Sequence, residues 1–554
     1  MKTFDAIIVG SGAGGGTAAY NLTKRGFNVL VLEKGDWSKA EDFLPYDELR
    51  FLEHKTLTPD QNNDFNTYVK ADGENEVISK QRRWWIGNMV GGSTMLWEAN
   101  LPRYTEEDFS VSKFIPQWVK DDSNVSMVDW PWKYEEFQKY FEEAEHLWGV
   151  SGRANQSPAQ EPTRNGYDYP MPPLRPHAHV EYVQQIFRKH KMYPYLSPRG
   201  INSRTFDGRP GCPFCGYCQG FGCAVNDRAS SANTVLKKAI DTGRCEVKTG
   251  CNVTRLIHQN GKIEGVEYCS NGSDAPEIIK ADLVIVSIQA IQSARLFLHS
   301  EIPNDNQLIG KYLTYHTKGS AEFVFPNQPR WGSMSPTSMF QPRTSLGSLQ
   351  LRDLYVINDN ERKDLSKGGK FSVYDPYTIN PPIKALTRTS NGSNKKLWGR
   401  DLVDRMMELR NHGGISFSFT GETISDINNR VELDPDFTDE YGVPVARTYY
   451  KHHEYDKQIS AYCLGKMRDI LEEEGAEVRV FKPQGDSNPG YGHNHGTLRA
   501  GKDPNNSVLD ENCQSHSVKG LYVLDSAWMP TAGASNPTLT QIANALRVTE
   551  IIKK

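Results

Sequence analysis

Gly10-Ser11-Gly12-Ala13-Gly14-Gly15 follows the apolar stretch Phe4 to Val9 and precedes a helix-like stretch, Thr17 to Arg25. A second apolar stretch, Asn28 to Leu32, ends in Glu33. The order is strand, glycine turn, helix, strand, with an acid roughly 20 residues after the glycines, which is the dinucleotide-binding fingerprint of an α/β fold. In that fingerprint Gly10 permits the tight turn, Gly12 lets the backbone approach a pyrophosphate and Gly15 lets the helix sit close to the strand. The phosphates belong at the helix N-terminus, where free N–H groups and the helix dipole favour an anion. Glu33 is placed to accept hydrogen bonds from a ribose diol. An isolated glycine-rich turn would lack both the strand before it and the acid after it.

The rest of the 554-residue chain narrows the reading. Its net charge of −4 argues against nucleic acid as the main partner, because phosphate binding needs a basic field. No run of 18 apolar residues exists, so no membrane-spanning helix is expected. The first strand begins within a few residues of Met1, which leaves no room for a signal peptide of the chain's own. Nine cysteines are present, and four of them (Cys212, Cys215, Cys218, Cys223) fall within a dozen residues. Clustering of this kind suggests a metal or cluster site in a chain that folds in a reducing compartment. The other five read as ordinary small apolar residues.

After the first βαβ unit, Trp37 to Gln81 is polar and without clear period, and reads as an excursion, a lid or partner surface. Gly87 to Thr94 pairs glycines with small hydroxyl residues, which sets backbone N–H groups beside a ligand; Trp84, Trp85 and Trp97 flank it. Helices are expected at Tyr134 to Trp148, His177 to His190, Ala229 to Thr242 and Tyr455 to Glu474. Cys245 to His258, Lys262 to Cys269 and Ala281 to Val286 read as strands returning to the first domain. From Leu313 to about Ala476, short strand-like runs such as Ser320 to Phe325 and Gly414 to Phe419 alternate with polar loops, which suggests a largely antiparallel second domain. Trp331 to Arg410 is too irregular to assign. A strand at Leu521 to Leu524 and a helix at Thr538 to Ile552 close the chain.

Several of these stretches together resemble the glucose–methanol–choline (GMC) flavin oxidoreductases. GSGAGG with Glu33 matches the family's FAD adenosine site, and VGGST (Val90 to Thr94) is similar to its second glycine motif. DRASSANTVLKKAI (Asp227 to Ile240) resembles its R-x-S-S helix, and IGKYLTYH (Ile309 to His316) its G-x-x-L-x-x-H turn. NRVELD (Asn429 to Asp434) is similar to a substrate-domain segment. HNHGTLRAGKDPNNSVLD (His493 to Asp510) and GLYVLDSAWMPTAGASNPTLT (Gly520 to Thr540) are the most specific. ASNPTLT is most like pyranose 2-oxidases and the bacterial sugar and gluconate dehydrogenases, and YPMPPL with the cysteine segment points to the dehydrogenases. The resemblance implies a Rossmann-like FAD-binding domain (1–36, 82–128, 211–312 and 490–554), an excursion or lid (37–81) and a split, largely antiparallel α+β substrate domain (129–210 and 313–489).

The resemblance places His493 and Asn536 at the reactive face of the flavin. Oxidation of an alcohol needs removal of the O–H proton and transfer of the carbon-bound hydride. A neutral histidine suits the first, and an asparagine beside it can hold the hydroxyl so that the C–H points at flavin N5. His495 is the local competitor, and the spacing to Gly496-Thr497 favours His493 as base. The cofactor contacts implied are Gly10, Gly12, Gly15, Glu33, Gly91, Gly92, Ser93, Thr94, Val253, Asp525 on the ribityl chain and Thr538 in the flavin-closing segment. Leu96 stands just before Trp97, where some relatives carry a histidine bonded to the flavin, so noncovalent FAD is expected. Ala500, Gln289 and Gln292 depart from the family pattern.

The spacing C-x-x-C-x-x-C-x-x-x-x-C (Cys212, Cys215, Cys218, Cys223) suits an iron–sulfur cluster or a structural zinc. Gluconate-dehydrogenase-like flavoproteins carry a cluster in such a segment, commonly of the three-iron (3Fe-4S) type, which leaves one cysteine spare. The expectation is therefore an FAD and iron–sulfur dehydrogenase that oxidises a secondary hydroxyl of a pyranose, a glycoside (C3 or C2) or an aldonate. The many aromatics of the substrate segments suit sugar faces, and no carboxylate-binding arginine is identified. Such relatives pair with a small subunit that carries an export signal and with a haem protein, which makes the chain cytoplasmic or periplasmic by co-export. A pyranose-type oxidase with zinc or no metal, and an inactive flavin-binding scaffold, are the alternatives.

Overall fold

The computed structural model describes residues 4–43, 65–72, 75–82, 86–159, 166–176, 178–215, 218, 221–273, 275–329, 349–360, 362–374, 397–486 and 492–554. Trp84, Trp85, His177 and parts of the 37–81 and 331–410 stretches lie outside them.

The opening unit is strand β1 (Ala6–Val9), helix α1 (Ala13–Lys24) and strand β2 (Val29–Leu32). A hairpin follows, β3 (Phe65–Asp72) and β4 (Asn75–Arg82), then helices α2 (Tyr134–Trp148) and α3 (Ala178–Lys189) and the short strand β5 (Tyr195–Leu196). Helix α4 (Val235–Asp241) precedes β6 (Cys245–Lys248), β7 (Cys251–Gln259), β8 (Lys262–Ser270), β9 (Glu277–Lys280), β10 (Val284–Val286) and helix α5 (Ala290–His299). Next come β11 (Thr317–Pro329), β12 (Leu349–Leu351), β13 (Gly369–Tyr374), helix α6 (Gly399–Asn411), β14 (His412–Gly421), β15 (Arg430–Thr438) and β16 (Pro444–Tyr449). Helix α7 (Glu454–Glu473), β17 (Glu477–Lys482), β18 (Leu521–Val523) and helix α8 (Thr538–Ile551) complete the chain.

Five strands form a parallel sheet in the order β18-β10-β1-β2-β6. Its central strands, such as Ala6-Ile7-Ile8-Val9, are buried throughout, which is why they read as unbroken apolar runs; the edge strand β6 alternates Cys-Glu-Val-Lys. Helix α1 begins at Ala13, inside the glycine run and earlier than its sequence suggests. Gly10 holds φ +92°, and a Cβ on Gly15 would stand 2.0 Å from the Gly10 carbonyl, so close packing of helix on strand overrides helix propensity.

The second large sheet is antiparallel, in the order β17-β11-β14-β13-β12-β5. Its period-2 alternation sorts two faces. Ala321, Phe323, Phe371, Val373, Ile415, Phe417 and Phe419 pack against Ile459, Cys463, Leu464 and Met467 of α7 and against α3. The opposite face carries three polar rows in register: Lys318–Thr420–Lys370, Ser320–Ser418–Ser372 and Glu322–Ser416–Tyr374. Two smaller sheets, β15-β16-β3-β4 and β7-β8-β9, flank these.

Three local expectations are corrected. The single run Cys245 to His258 is two strands, because Gly250 turns the chain at φ +64° and sends β6 and β7 to different sheets. The helix expected from Ala229 starts only at Val235. Ser230 and Asn233 bond each other's backbone N–H groups and lock a turn before it. The excursion is not wholly without period: β3 and β4 pair within it, and β3 runs parallel to β16.

Candidate active site

The C-terminal ends of β1, β2, β10 and β18 open into one cavity of about 980 Å³ that reaches the polar face of the antiparallel sheet. Ligands of open α/β sheets bind at that end of the strands. At one side lie Gly10, Gly12, Ala13 and Gly14. No side chain caps helix α1, and a Cβ on Gly12 would meet nothing within 4 Å, so the first-turn N–H groups face open space. Such a cradle fits a pyrophosphate.

Glu33 is on the same wall. Ser11 donates to its Oε2 from Oγ (2.6 Å) and from the backbone (3.0 Å), and the Gly35 N–H donates to Oε1 (3.0 Å). Burial pushes this carboxyl up, against those hydrogen bonds. Val253 lines the cavity between Asn252 and Thr254. Gly92, Ser93 and Thr94 line it too, whereas Gly91 and Gly15 stand behind the wall; the Gly91 N–H donates to Ser11 Oγ (2.9 Å). Asp525 follows β18 on the wall. It accepts from the N–H groups of Ile288 (2.9 Å) and Ala527 (2.8 Å), and burial raises its carboxyl to about 6. Gln289, where the family pattern has glycine, keeps φ +81°, and its side chain caps α5 by accepting from Ile291 and Gln292. The residues present thus fit a long dinucleotide such as FAD: an anion cradle at one end, carboxylates for sugar hydroxyls, and room beyond.

At the far side His493, Asn536 and Thr538 share the wall with Lys318, Ser372, Tyr374, Ser418 and Thr420. His493 Nε2 lies 3.5 Å from Asn536 Nδ2. Asn536 Oδ1 accepts from Asn100 Nδ2 (3.1 Å) and from Lys370 Nζ, so its carboxamide presents the NH₂ group to His493. Asn100 is held in turn: its Oδ1 accepts from Ser197 Oγ (2.7 Å) and Gln350 Nε2 (3.0 Å), and Tyr195 donates to Gln350 (3.1 Å). These bonds fix the Asn536 oxygen and leave its NH₂ turned to the cavity beside His493. His493 is held at φ +52°, a sparsely populated region for a residue with a Cβ, between Gly492 at +83° and Gly496 at +72°. Burial, then the nearby Lys318, His495 and Lys370, hold its imidazole well below the usual histidine range, so it is neutral at pH 7. His495 is fully buried against His316 and off the cavity wall.

Lys318, Lys370, Asn100 and the seryl rows escape sequence reading. The alternation Lys370-Phe371-Ser372-Val373-Tyr374 does announce one polar face, though not that a cavity meets it.

The four cysteines of the 212–223 segment lie off this cavity. Trp97 stands on the wall and packs with Cys212, Cys218 and Phe214 behind it. All four thiols are free, and among the described residues no three His, Cys, Asp or Glu side chains are set to hold a metal. Cys223 donates to Asp227 (3.3 Å). Burial and that carboxylate push the Cys212 and Cys223 thiols up, and burial raises Cys218 to about 12. Arranged so, the described thiols do not fit a metal centre.

Comparison with known proteins agrees with the cavity and its glycine cradle. The chain is 26% identical to the 2-methyl-1,2-propanediol dehydrogenase of Mycolicibacterium austroafricanum, over 99% of this chain and 95% of that protein. It is 25% identical to the gluconate 2-dehydrogenase flavoprotein of Pantoea cypripedii, over 97% and 91%. The formate oxidase of Aspergillus oryzae shares the fold with a TM-score of 0.64 at 16% identity, over 99% of this chain and 98% of that one. The GMC oxidoreductase profile matches residues 4–318 and, with its C-terminal part, residues 425–545. The chain therefore belongs to the GMC oxidoreductases, a family of FAD-binding enzymes.

Proposed function

We propose that this protein is an FAD-dependent dehydrogenase that oxidises a secondary hydroxyl of a sugar-type substrate to a ketone, at C2 or C3 of a pyranose or glycoside, or on an aldonate. The observation that carries the reading is the His493–Asn536 pair, set on a wall continuous with the α1 cradle and shared with Lys318, Ser372, Tyr374, Ser418 and Thr420 of the polar sheet face. FAD, when bound, supplies the acceptor for the carbon-bound hydride. The chain's residues do the rest. The Asn536 NH₂ donates to the substrate oxygen and fixes which C–H bond faces inward. Neutral His493 takes the hydroxyl proton at Nε2. Ser372, Ser418, Thr420 and Tyr374 offer hydrogen bonds to the remaining hydroxyls, a set matched to a polyol rather than to a simple alkanol.

The proposed cofactor contacts are Gly10, Gly12 and Gly92 to Thr94 around the pyrophosphate and ring, with Gly15 and Gly91 shaping those turns from behind the wall, Glu33 and Val253 at the adenosine, and Asp525 and Thr538 toward the flavin. Leu96 cannot bond the flavin, so the attachment is noncovalent.

A second reading adds an iron–sulfur centre on Cys212, Cys215, Cys218 and Cys223, a small export-bearing subunit and a haem acceptor. Their spacing favours it; the thiol arrangement does not, and no step is drawn through it. Anaerobic absorption spectra of the purified protein, before and after glucosides and aldonates, together with its iron content, test both. Flavin bands bleached by a sugar support the proposed reaction, and bands that no sugar or alcohol bleaches overturn it. Absence of iron together with rapid oxygen uptake would make the enzyme an oxidase.

A further inference from the structure

The row Lys318–Thr420–Lys370 puts two lysines on one face, one strand to either side of Thr420 and so roughly 10 Å apart. Like charges in one row are unfavourable unless something answers them. Nothing described does. Lys318 Nζ reaches only Thr420 Oγ1, at 3.4 Å, and Lys370 Nζ only Asn536 Oδ1. Among the described residues no carboxylate forms an ion pair with either lysine. The other charges on the cavity wall are answered. Glu98 meets Arg199 at 3.3 Å and Asp439 meets Arg295 at 2.7 Å. Glu33 and Asp525 already accept from backbone and hydroxyl donors. The charge left over is positive, and it sits beside His493 and Asn536. Arg352, also close to Lys370, adds to the same field, while the Arg199–Glu98 pair brings both signs.

A cation withdrawn from water without a partner is costly, and proteins keep such groups paired or pair them with a ligand. Lys318 is part-exposed, and its open side is the cavity itself. We infer that the substrate is an anion: a hydroxy acid whose carboxylate seats on Lys318 while its reacting hydroxyl meets Asn536 and His493. The inference rests on the alcohol-oxidising reading above and narrows it. Between these ends, Ser372, Ser418 and Thr420 face the chain of the acid, so a polyhydroxy acid fits better than a short one. Lys370 acts behind Asn536, as a positioning residue. Burial lowers the Lys318 ammonium to about 8, which leaves it charged at neutral pH. The same negative charge could come from the bound cofactor, and the test separates the two sources.

The holoenzyme is assayed anaerobically with an artificial acceptor on D-gluconate and D-glucose, as wild type, Lys318→Gln and Lys318→Arg. Binding of succinate, which has no hydroxyl to oxidise, is followed by the flavin absorbance, and the flavin midpoint potential is measured for each form. We expect the wild type to prefer gluconate in kcat/KM and to bind succinate. Lys318→Gln should lose about 10- to 100-fold more on gluconate than on glucose, the size of a charge-assisted hydrogen bond in a shielded site, and Lys318→Arg should recover most of it. Equal losses on both sugars with a displaced potential would assign the lysine to the cofactor and overturn the inference. So would a wild type that shows no preference for gluconate and no succinate binding, whether or not the variants fold. If no alcohol bleaches the flavin but succinate still binds through Lys318, the anion seat stands and the oxidation reading falls.

Discussion

His493 shows how much one residue's surroundings decide. Its backbone is strained, its ring is buried and three cationic or basic neighbours face it. The active form of a base is the unprotonated one, and protonation is lost here only as pH rises through a value well below 6.5. The acid limb of kcat/KM should therefore lie well below pH 6.5, and a pH profile inflecting at 6.5 or above would contradict the assignment. His493→Ala should slow substrate-driven flavin reduction by about 10²- to 10⁴-fold with FAD still bound, as stopped-flow absorbance would show. The choice of His493 over His495 could be read from motif spacing; the structure adds that only the first ring reaches the cavity. Lys318 and Lys370 could not be read. A lysine in a strand looks like a solvated edge until the pairing register reveals what shares its face.

Among the elements, the βαβ opening was legible because parallel strands are buried on both faces and glycine spacing is dictated by backbone contacts. Gly15 tests that account. Gly15→Val would drive a branched side chain into the Gly10 carbonyl, so it should lower stability by about 3 kcal/mol or more and strip the cofactor, as melting temperature and flavin content would register. The β3–β4 hairpin was overlooked for its polar composition. The early start of α1 and the late start of α4 have different causes: close packing of the glycine run on β1 in the first, and the local Ser230–Asn233 turn in the second. The polar sheet face was half legible. Alternation along β13 and β14 marks it, but only assembly with β1, β10 and β18 turns it toward a cavity.

At the scale of the whole molecule, buried ionisable groups behind the site tie stability to pH. Lys367 and Asp108 form a fully buried pair at 3.0 Å, with Tyr355 donating to the same carboxylate. Glu422 lies nearby, raised by burial to about 8. Because its folded value is above the unfolded one, near 4.5, the native state holds the extra proton. Its contribution is complete below pH 4.5 and is lost as pH rises through 8. Glu422→Gln should remove that loss, so the variant should gain stability on wild type between pH 6 and pH 9, on the order of a few kcal/mol at most, read as a rise in its melting temperature relative to wild type. The order of the parallel sheet carries a different consequence, in time rather than in energy. Strand β1 takes its inner neighbour from residues 284–286, and that neighbour is flanked by residues 521–523. At ordinary rates of translation, roughly 25 to 100 s pass between synthesis of the first strand and the last. Until residues 284–286 are made the nascent chain carries Ala6-Ile7-Ile8-Val9 with an edge open to any passing strand, and from then until residue 521 the open edge is Val284-Ile285-Val286. Ribosome-bound chains halted before residue 521 should accordingly depend on chaperones, whereas the finished chain should not.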